Sequence, residues 1–454
     1  MLLSIIIPRQ LLKQAKGAVR VIRTGLHPEY RVMAAQRQSS MEMAPAITFK
    51  RSHWLVLVAA TLSLALKIAI ALNTYGTNDV ITWERNLAKT KTDGGLAWYR
   101  QGPEVRSPAG RIMTGQPAVQ PNHPPFVITM LAVWDRLARF SGLPFRFWLR
   151  FTSSLADIAS LILIWKCRAQ AGIGTPVGVL LLIALSPVSI MVSGFHGNTD
   201  PLMMAILLLS VWLAGSGRPA WLVGAVFGMA LNIKVVPILF APVFLFYLPG
   251  TRRRFDFAAA AAAMFLLGSL PYIAQDPALI IHRVFGYASI PGTWGLSLVG
   301  FLILPGRIYQ AYLVVGRAIM LMAILFASYW MNRSNRKPAL FVQCGFIAFL
   351  CIFWIPGFGV QYLAWLVPWA ADLGDKRSMC YYVSSGVFLF LSYTQLSGGL
   401  PWFLANGYDP GANLWAGTLV FPAAMACWIS VGTVAYGIWQ KQVGPFPFET
   451  EFDS

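Results

Sequence analysis

Apolar runs long enough, or nearly long enough, to cross a lipid bilayer recur from residue 53 to residue 438 of this 454-residue chain. That recurrence constrains the fold more than any single motif does. Hydrocarbon offers no water to backbone amides and carbonyls, so a chain crosses it only as helices or as a closed barrel. A barrel would show segments of about ten residues with alternating polarity. The runs here are continuous and rich in Leu, Ala, Val, Phe and Trp, so they read as helices. Composition agrees. Hydrophobic residues make up 57% of the chain and charged ones 12%, against roughly 25% charged in a soluble domain, and the mean hydropathy is +0.59. The expected fold class is an all-α polytopic membrane protein.

Candidate helices are 53–72, 124–140, 150–166, 174–193, 200–215, 219–232, 233–249, 255–273, 309–331, 339–355, 361–372, 379–397 and 414–438, which gives about 11–13 transmembrane helices. Several fall short of the roughly 20 residues that a perpendicular crossing needs. Short helices are tolerated where protein surrounds them or where they border a watery cavity. No internal repeat of the transporter kind is visible in the sequence.

The net charge of +19 would suggest nucleic acid in a soluble protein. Here the basic residues sit between apolar runs, as in TRRR (251–254), NRSNRK (332–337) and DKR (375–377). They read as positive-inside bias and attraction to lipid head groups. With those clusters cytoplasmic, the loop 73–123, the turn HGNTDP (196–201), the segment 274–308, the turn PGFGVQ (356–361) and the loop 397–412 all face outward. One conflict stands unresolved: basic residues flank 150–166 on both sides, so parity fails unless a segment near 124–140 does not fully cross.

Residues 1–52 carry nine Lys or Arg against two acids and lack a signal-peptide layout. They read as a basic cytoplasmic arm, or else the chain starts at Met41 or Met43. The rest divides into a membrane module, 53–308, and C-terminal helices, 309–454. The five cysteines lie in or beside apolar runs without CxxC spacing, so no disulfide framework or zinc site is implied.

Chemistry belongs on the outward face, where five segments converge. Asp79, in TNDVITWERNLA, follows the first helix closely. It suits a general base for a hydroxyl, or a metal ligand. Equally, Asn78 or Asp79 could cap a helix that carries Glu84 in its first turns. His196, Asn198 and Asp200 in GFHGNTDPLM are more polar than a turn requires, although Asp200–Pro201 is also a good helix start. Lys234, between two apolar runs, either snorkels or meets an anion such as phosphate. Arg283, beside His282, suits bidentate phosphate recognition. Gln361 and Tyr362 could line a cavity, and the nearby tryptophans could equally form an interfacial belt. No P-loop, Rossmann fingerprint, HExxH or GxSxG occurs, which removes support for soluble nucleotide-sugar and ATP chemistry.

At these residues the chain resembles the GT-C-type glycosyltransferases, multi-helix membrane enzymes that use polyprenyl-phosphate-linked sugars. ALNIKVVPILFAPVFLFYL (230–248) and NHPPF (122–126) resemble segments of the dolichyl-phosphate-glucose glucosyltransferases of N-glycan assembly. HGNTDP stands where those enzymes carry a His-Phe-Gln-Tyr-Asn motif, and is also similar to a stretch of the GPI-anchor first mannosyltransferase. FTSSLADIASLILIW (151–165), with Asp157, resembles an Asp-bearing helix of both. The order of motifs agrees across about 75–300; the C-terminal third matches neither family.

The resemblance implies an inverting hexosyltransferase with a polyprenyl-phosphate-sugar donor and a lipid or glycan acceptor, working on the non-cytoplasmic face. It implies Asp79 as catalytic carboxylate, and Lys234, Arg283 and His282 at the donor phosphate. Glu84, His123, His196, Asn198, Asp200, Trp294, Gln361 and Tyr362 would line the substrate site. A single Asp replaces the Asp-x-Asp of several mannosyltransferases, so no metal is assigned and a divalent ion stays open. Membrane lipids are partners and nucleic acid is not; a bacterial inner membrane is favoured over the endoplasmic reticulum. The alternative is a secondary transporter or lipid-linked-oligosaccharide flippase, which would carry repeats and charges buried mid-helix.

Overall fold

The computed structural model describes residues 51–100, 122–286, 289–334, 337–371, 375–396 and 414–443. The segment 1–52 expected as a cytoplasmic arm (save its last two residues), the loop 397–412 expected to face outward, and most of 101–123 therefore lie outside the described residues. The account below concerns the compact unit Trp54–Ser454.

Among the described residues the chain is built of helices, with no named strand. The first helix, α1 (Arg51–Asn73), leads to α2 (Asn78–Asp93), α3 (Gly95–Tyr99) and α4 (Phe126–Ser141). Then come α5 (Phe145–Gln170), α6 (Val177–Ala184), α7 (Pro187–Met191), a π-turn (Val192–His196) and α8 (Asp200–Gly215). Next are α9 (Ala220–Ile233), a 3₁₀ turn (Val236–Phe240), α10 (Ala241–Tyr247), α11 (Thr251–Ile273), α12 (Pro277–Phe285) and α13 (Gly295–Ile303). The chain ends with α14 (Gly306–Arg333), α15 (Leu340–Trp354), a second 3₁₀ turn (Val360–Trp365), α16 (Val367–Ala370), α17 (Lys376–Leu396) and α18 (Leu414–Gln442).

Among the described residues six segments are long and apolar enough to cross a membrane: Trp54–Asn73, Phe145–Gln170, Val177–His196, Thr251–Ile273, Gly306–Arg333 and Trp415–Lys441. This is an integral, multi-pass membrane protein. Four further apolar helices have 10–17 residues, Asp200–Gly215, Ala220–Ile233, Val236–Tyr247 and Leu340–Trp354. The 11–13 expected crossings thus resolve into six long helices and a set of short ones that need protein around them. The short ones have it. Met203, Leu207, Leu208, Val223, Ala230, Ile347 and Phe349 are all buried in the main core, whereas α1, α11 and α14 present Leu62, Leu267 and Val314 to the outside.

A second, smaller core resolves the parity conflict. Val80, Trp83 and Leu87 of α2, Trp98 and Tyr99 of α3, Val127, Leu131 and Trp134 of α4, and Ile280 and Val284 of α12 pack together. Both ends of α4 therefore touch the same layer, and its Asp135 pairs with Lys91 of α2 at 2.8 Å. Arg150, fully buried on the first turns of α5, donates to the carbonyls of Ala71 (2.7 Å) and Thr74 (2.9 Å) at the end of α1. So α1 ends and α5 begins at one end of the bundle, and α4 between them does not cross. The same end holds the last turn of α11, where Gly95 lies against the Tyr272 ring. The bundle's other end gathers basic groups: Lys166 over the Trp212 ring (4.8 Å), Lys337 over the Tyr247 ring (5.6 Å), and Lys441 paired with Asp375 (3.5 Å).

Three interruptions of α-helical geometry occur within apolar stretches: the π-turn and the two 3₁₀ turns. Irregular backbone at membrane depth survives only inside protein or beside a cavity, and π-turns recur at functional sites.

Candidate active site

The site is assembled from the start of α2 and the turn that follows the π-turn. Thr77 caps α2, and its hydroxyl also donates to the carbonyl of His196 at 2.8 Å. That one contact fixes Asp79, in the first turn of α2, against HGNTDP. A carboxylate there also meets the positive end of the helix dipole. Two glycines allow the approach. Gly76 and Gly197 have φ of +106° and +80°, and a Cβ on either would lie 2.6 Å or 2.4 Å from a methyl of Val80. No larger residue fits there without moving α2.

Asp79 Oδ2 accepts a hydrogen bond from Asn198 Nδ2 at 2.6 Å and lies 3.0 Å from His196 Nε2. Asn198 is itself braced by Ser153 of α5, whose hydroxyl donates to its carbonyl at 2.7 Å. Burial alone would raise the Asp79 pKa, but the His196 charge and hydrogen bond, the Asn198 amide and the more distant Lys234 outweigh it and hold the carboxyl below its ordinary value of 3.8. The side chain keeps 22% of its surface. Asp79 is therefore an accessible, ionised carboxylate with one oxygen anchored.

The other half of the same turn serves a different cluster. Asp200, fully buried at the start of α8, takes both oxygens to Lys234 Nζ, at 2.8 and 2.9 Å, and accepts from Trp365 Nε1 at 2.5 Å. The Lys234 ammonium also lies 5.0 Å from the Tyr362 ring and 5.8 Å from the Trp365 ring, within cation–π range. Lys234 looks isolated in the sequence. In the fold it is paired with Asp200, because α9 stops there and the chain turns back through a 3₁₀ turn.

His123 joins the site from the segment before α4. Tyr99 donates to its carbonyl at 2.6 Å and Trp83 stands against its ring at 4.7 Å. Burial, reinforced by Lys234 and opposed by Asp79, lowers its pKa to about 3, so the ring is neutral at physiological pH. Its Nε2 and the Nδ1 of His196 are buried and have no hydrogen-bond partner among the described residues. Buried polar atoms normally find partners, so these two nitrogens stand out among the described residues.

The remaining expected residues fall elsewhere. Glu84 accepts from the Tyr75 hydroxyl and lies 4.0 Å from Arg146, about one and a half turns along α2 from Asp79. Arg283 Nε donates to the Tyr99 carbonyl at 3.0 Å, which ties α12 to the His123 wall. His282 is exposed, because Ile280 and Val284 turn the opposite face of α12 to the core. Trp294 departs from the expected substrate role: it is fully buried, stacked on Phe358 at 4.1 Å, with its indole N–H given to the Ile352 carbonyl. Gln361 is half-buried beside Tyr362.

Sequence reasoning missed Trp365, Tyr393, whose ring lies 5.6 Å from that of His196, and the bracing pair Lys67–Asp157. Lys67 and Asp157 meet at 2.6 Å inside the bundle, where Ser189 and Ser193 also donate to Asp157 at 2.7 and 2.6 Å. An ionisable residue within the apolar run 53–72 was the available signal for Lys67. With Lys234–Asp200 this makes two ion pairs buried within the bundle among the described residues.

Among the described residues no group of three or more His, Cys, Asp or Glu is placed to hold a metal ion. The anchored Asp79 oxygen already serves Asn198 and His196.

Residues 122–353 match the sequence profile of Glycosyltransferase family 87, a span of 232 of the 454 residues. The chain belongs to glycosyltransferase family 87. It is a membrane glycosyltransferase, with a sugar donor and an acceptor as substrates. No curated protein matches the chain. The span matching family 87 contains His123, His196, Asn198, Asp200 and Lys234; Asp79 precedes it, and joins it through Thr77, His196 and Asn198.

Proposed function

We propose that this family-87 glycosyltransferase moves a hexose from a polyprenyl-phosphate donor to a hydroxyl of a lipid or glycan acceptor, with inversion, at the non-cytoplasmic face. The observation that carries the reading is the accessible Asp79 carboxylate, anchored through one oxygen by His196 and Asn198. The order of motifs shared with polyprenyl-phosphate-dependent enzymes supports the donor class. The gathering of TRRR (251–254), Lys337 and DKR (375–377) at the opposite end supports the orientation.

In this mechanism Asp79 Oδ2 is anchored by His196 and Asn198, and Oδ1 takes the acceptor proton. The acceptor oxygen attacks the anomeric carbon from the face opposite the phosphate. The bond from that carbon to the phosphate oxygen breaks, and the phosphate leaves with the electron pair. Its configuration inverts because attack and departure are in line. His123 and His196 hydrogen-bond sugar or acceptor hydroxyls. Lys234, paired with Asp200, would stabilise the negative charge that develops on the leaving phosphate. Arg283, held by Tyr99, lies along the same wall.

The test is transfer by the purified protein in nanodiscs with a panel of polyprenyl-phosphate sugars, wild type against Asp79→Asn. Consumption of a donor by wild type alone supports the reading. No donor consumed, or equal activity in the variant, overturns it; movement of an intact lipid-linked glycan would favour the flippase alternative.

A further inference from the structure

The second 3₁₀ turn, Val360–Trp365, builds something that an α-helix could not. Three residues per turn place positions i and i+3 directly above one another. Tyr362 and Trp365 stand in that relation, and their rings stack at 4.4 Å with 21° between the planes. Both are buried. At α-helical spacing the two side chains would lie about 60° apart around the axis. The broken geometry thus makes an aromatic stack, and the stack stands beside the Lys234–Asp200 pair.

Lys234 and Trp365 meet on one atom. Asp200 Oδ1 accepts from Lys234 Nζ at 2.8 Å and from Trp365 Nε1 at 2.5 Å. Oδ2 accepts from Lys234 alone among the described residues, at 2.9 Å. An ammonium carries three hydrogens, and two go to the Asp200 oxygens. The third has the aromatic stack as its surroundings, with the Tyr362 ring 5.0 Å and the Trp365 ring 5.8 Å from the nitrogen. A ring face is a weaker partner for a cation than a charged oxygen is. An incoming anion can take that place without breaking the pair.

The two donors on Oδ1 also share its charge. The indole N–H limits how much of the Lys234 charge Asp200 takes up, and the remainder reaches the site: the Lys234 charge is felt at both Asp79 and His123. Without that N–H, fully buried Asp200 has Lys234 as its remaining partner among the described residues. A buried carboxylate that loses one donor draws harder on the other, and the pair closes on itself.

We propose that Trp365 is a positioning residue for the leaving phosphate, acting through Asp200 on Lys234. Its N–H holds the carboxylate, and its ring, with that of Tyr362, keeps the third ammonium hydrogen available to a phosphate oxygen. The proposal rests on the donor class argued under the proposed function. A sugar phosphodiester donor carries one negative charge, whereas the phosphate monoester it releases carries about 1.5 to 2 at pH 7. An ammonium with charge to spare favours the second over the first, and so favours the transition state between them.

The test uses the full-length protein in nanodiscs, altered at position 365 in two ways. Trp365→Phe keeps a ring on Tyr362 and removes the N–H. Benzothienylalanine in place of Trp365 has sulfur where the indole has N–H; it removes the donor at unchanged bulk and stays informative if Trp365→Phe unfolds. The quantities measured are kcat, the acceptor KM, and the affinity for polyprenyl monophosphate, read by displacement of a radiolabelled copy. In each folded variant kcat and that affinity should fall by about tenfold, the lower range for a hydrogen bond to a charged group. The acceptor KM should stay within about twofold, because the acceptor makes no demand on Lys234. A packing role alone would disturb acceptor and phosphate together. Equal losses in the two, or kcat and phosphate affinity within about twofold of wild type, would overturn the proposal. Unfolding of the benzothienylalanine variant would assign the N–H to stability and overturn it as well. If wild type neither transfers from any polyprenyl-phosphate donor nor binds polyprenyl monophosphate, the proposed function itself fails and this inference falls with it; that outcome is read on wild type, before any variant is compared.

Discussion

Asp79 concentrates the chemistry because three side chains determine its state: Thr77 sets its place, Asn198 and His196 its charge. Asp79→Asn should lower kcat by about 100-fold or more, the usual worth of a general base, with the fold intact by circular dichroism. The pH dependence has a defined sign. The active form is the carboxylate, and its pKa lies below 3.8, so activity is present above that value and is lost only as pH falls through it. His123 titrates near 3, so it contributes no limb between pH 6 and pH 7. A kcat/KM profile that lost activity near pH 6.5 and recovered this in His123→Gln would contradict the neutral-imidazole assignment. His123→Gln keeps a hydrogen-bonding group and should retain more activity than His123→Ala; equal losses would remove the hydroxyl-binding role.

At the scale of elements, the π-turn is the piece most dependent on its neighbours. Ser193 donates to Asp157 below it, Arg150 reaches the Gly194 carbonyl at 3.5 Å, and Gly194 rests on the Lys67 backbone, where a Cβ would be 3.1 Å away. Lys67→Met alone leaves the Asp157 carboxylate without its cation, a loss of about 3 kcal/mol or more for a buried pair. Lys67→Met combined with Asp157→Leu removes both charges and should recover most of that stability, since apolar replacement of a whole pair is often neutral. Thermal unfolding of the two variants in the same detergent checks the order; a double variant no more stable than Lys67→Met would show that the pair's partners matter more than its charges. Gly197→Ala should cost about 1 kcal/mol or more, because φ is +80° and the methyl would overlap Val80.

For the whole molecule, the topology makes a spatial claim. The loop layer of α2, α4 and α12 lies at one end of the bundle, and Arg253 and Lys337 at the other. Single cysteines at Lys89 and Arg253 should therefore react with a membrane-impermeant thiol reagent from opposite sides of sealed vesicles, with Arg253→Cys labelled from the cytoplasmic side. Labelling of both from one side would refute the arrangement; labelling with the sides exchanged would keep the fold and reverse the orientation. The buried Lys67–Asp157 and Lys234–Asp200 pairs make the same architecture tolerant of charge at membrane depth, because each cation lies within 3 Å of its carboxylate.

Much of this was legible in the sequence. Apolar runs dictated helices, since lipid permits little else, and a single-helix pattern needs no partner to be read. Asp79, His196, Asn198 and His123 were legible as polar residues on outward segments, because polarity beside an apolar run is a local signal. Their pairing was not. Whether Lys234 faces Asp200 or a phosphate, whether Trp294 packs or binds, and whether 124–140 crosses depend on which distant segments meet. Those meetings come from where α9 stops, from Arg150 tying α5 to α1, and from two glycines small enough to let α2 touch the π-turn. Composition and periodicity are properties of neighbours along the chain; the charge state of a carboxylate is set by neighbours in space, and only the packed bundle supplies them.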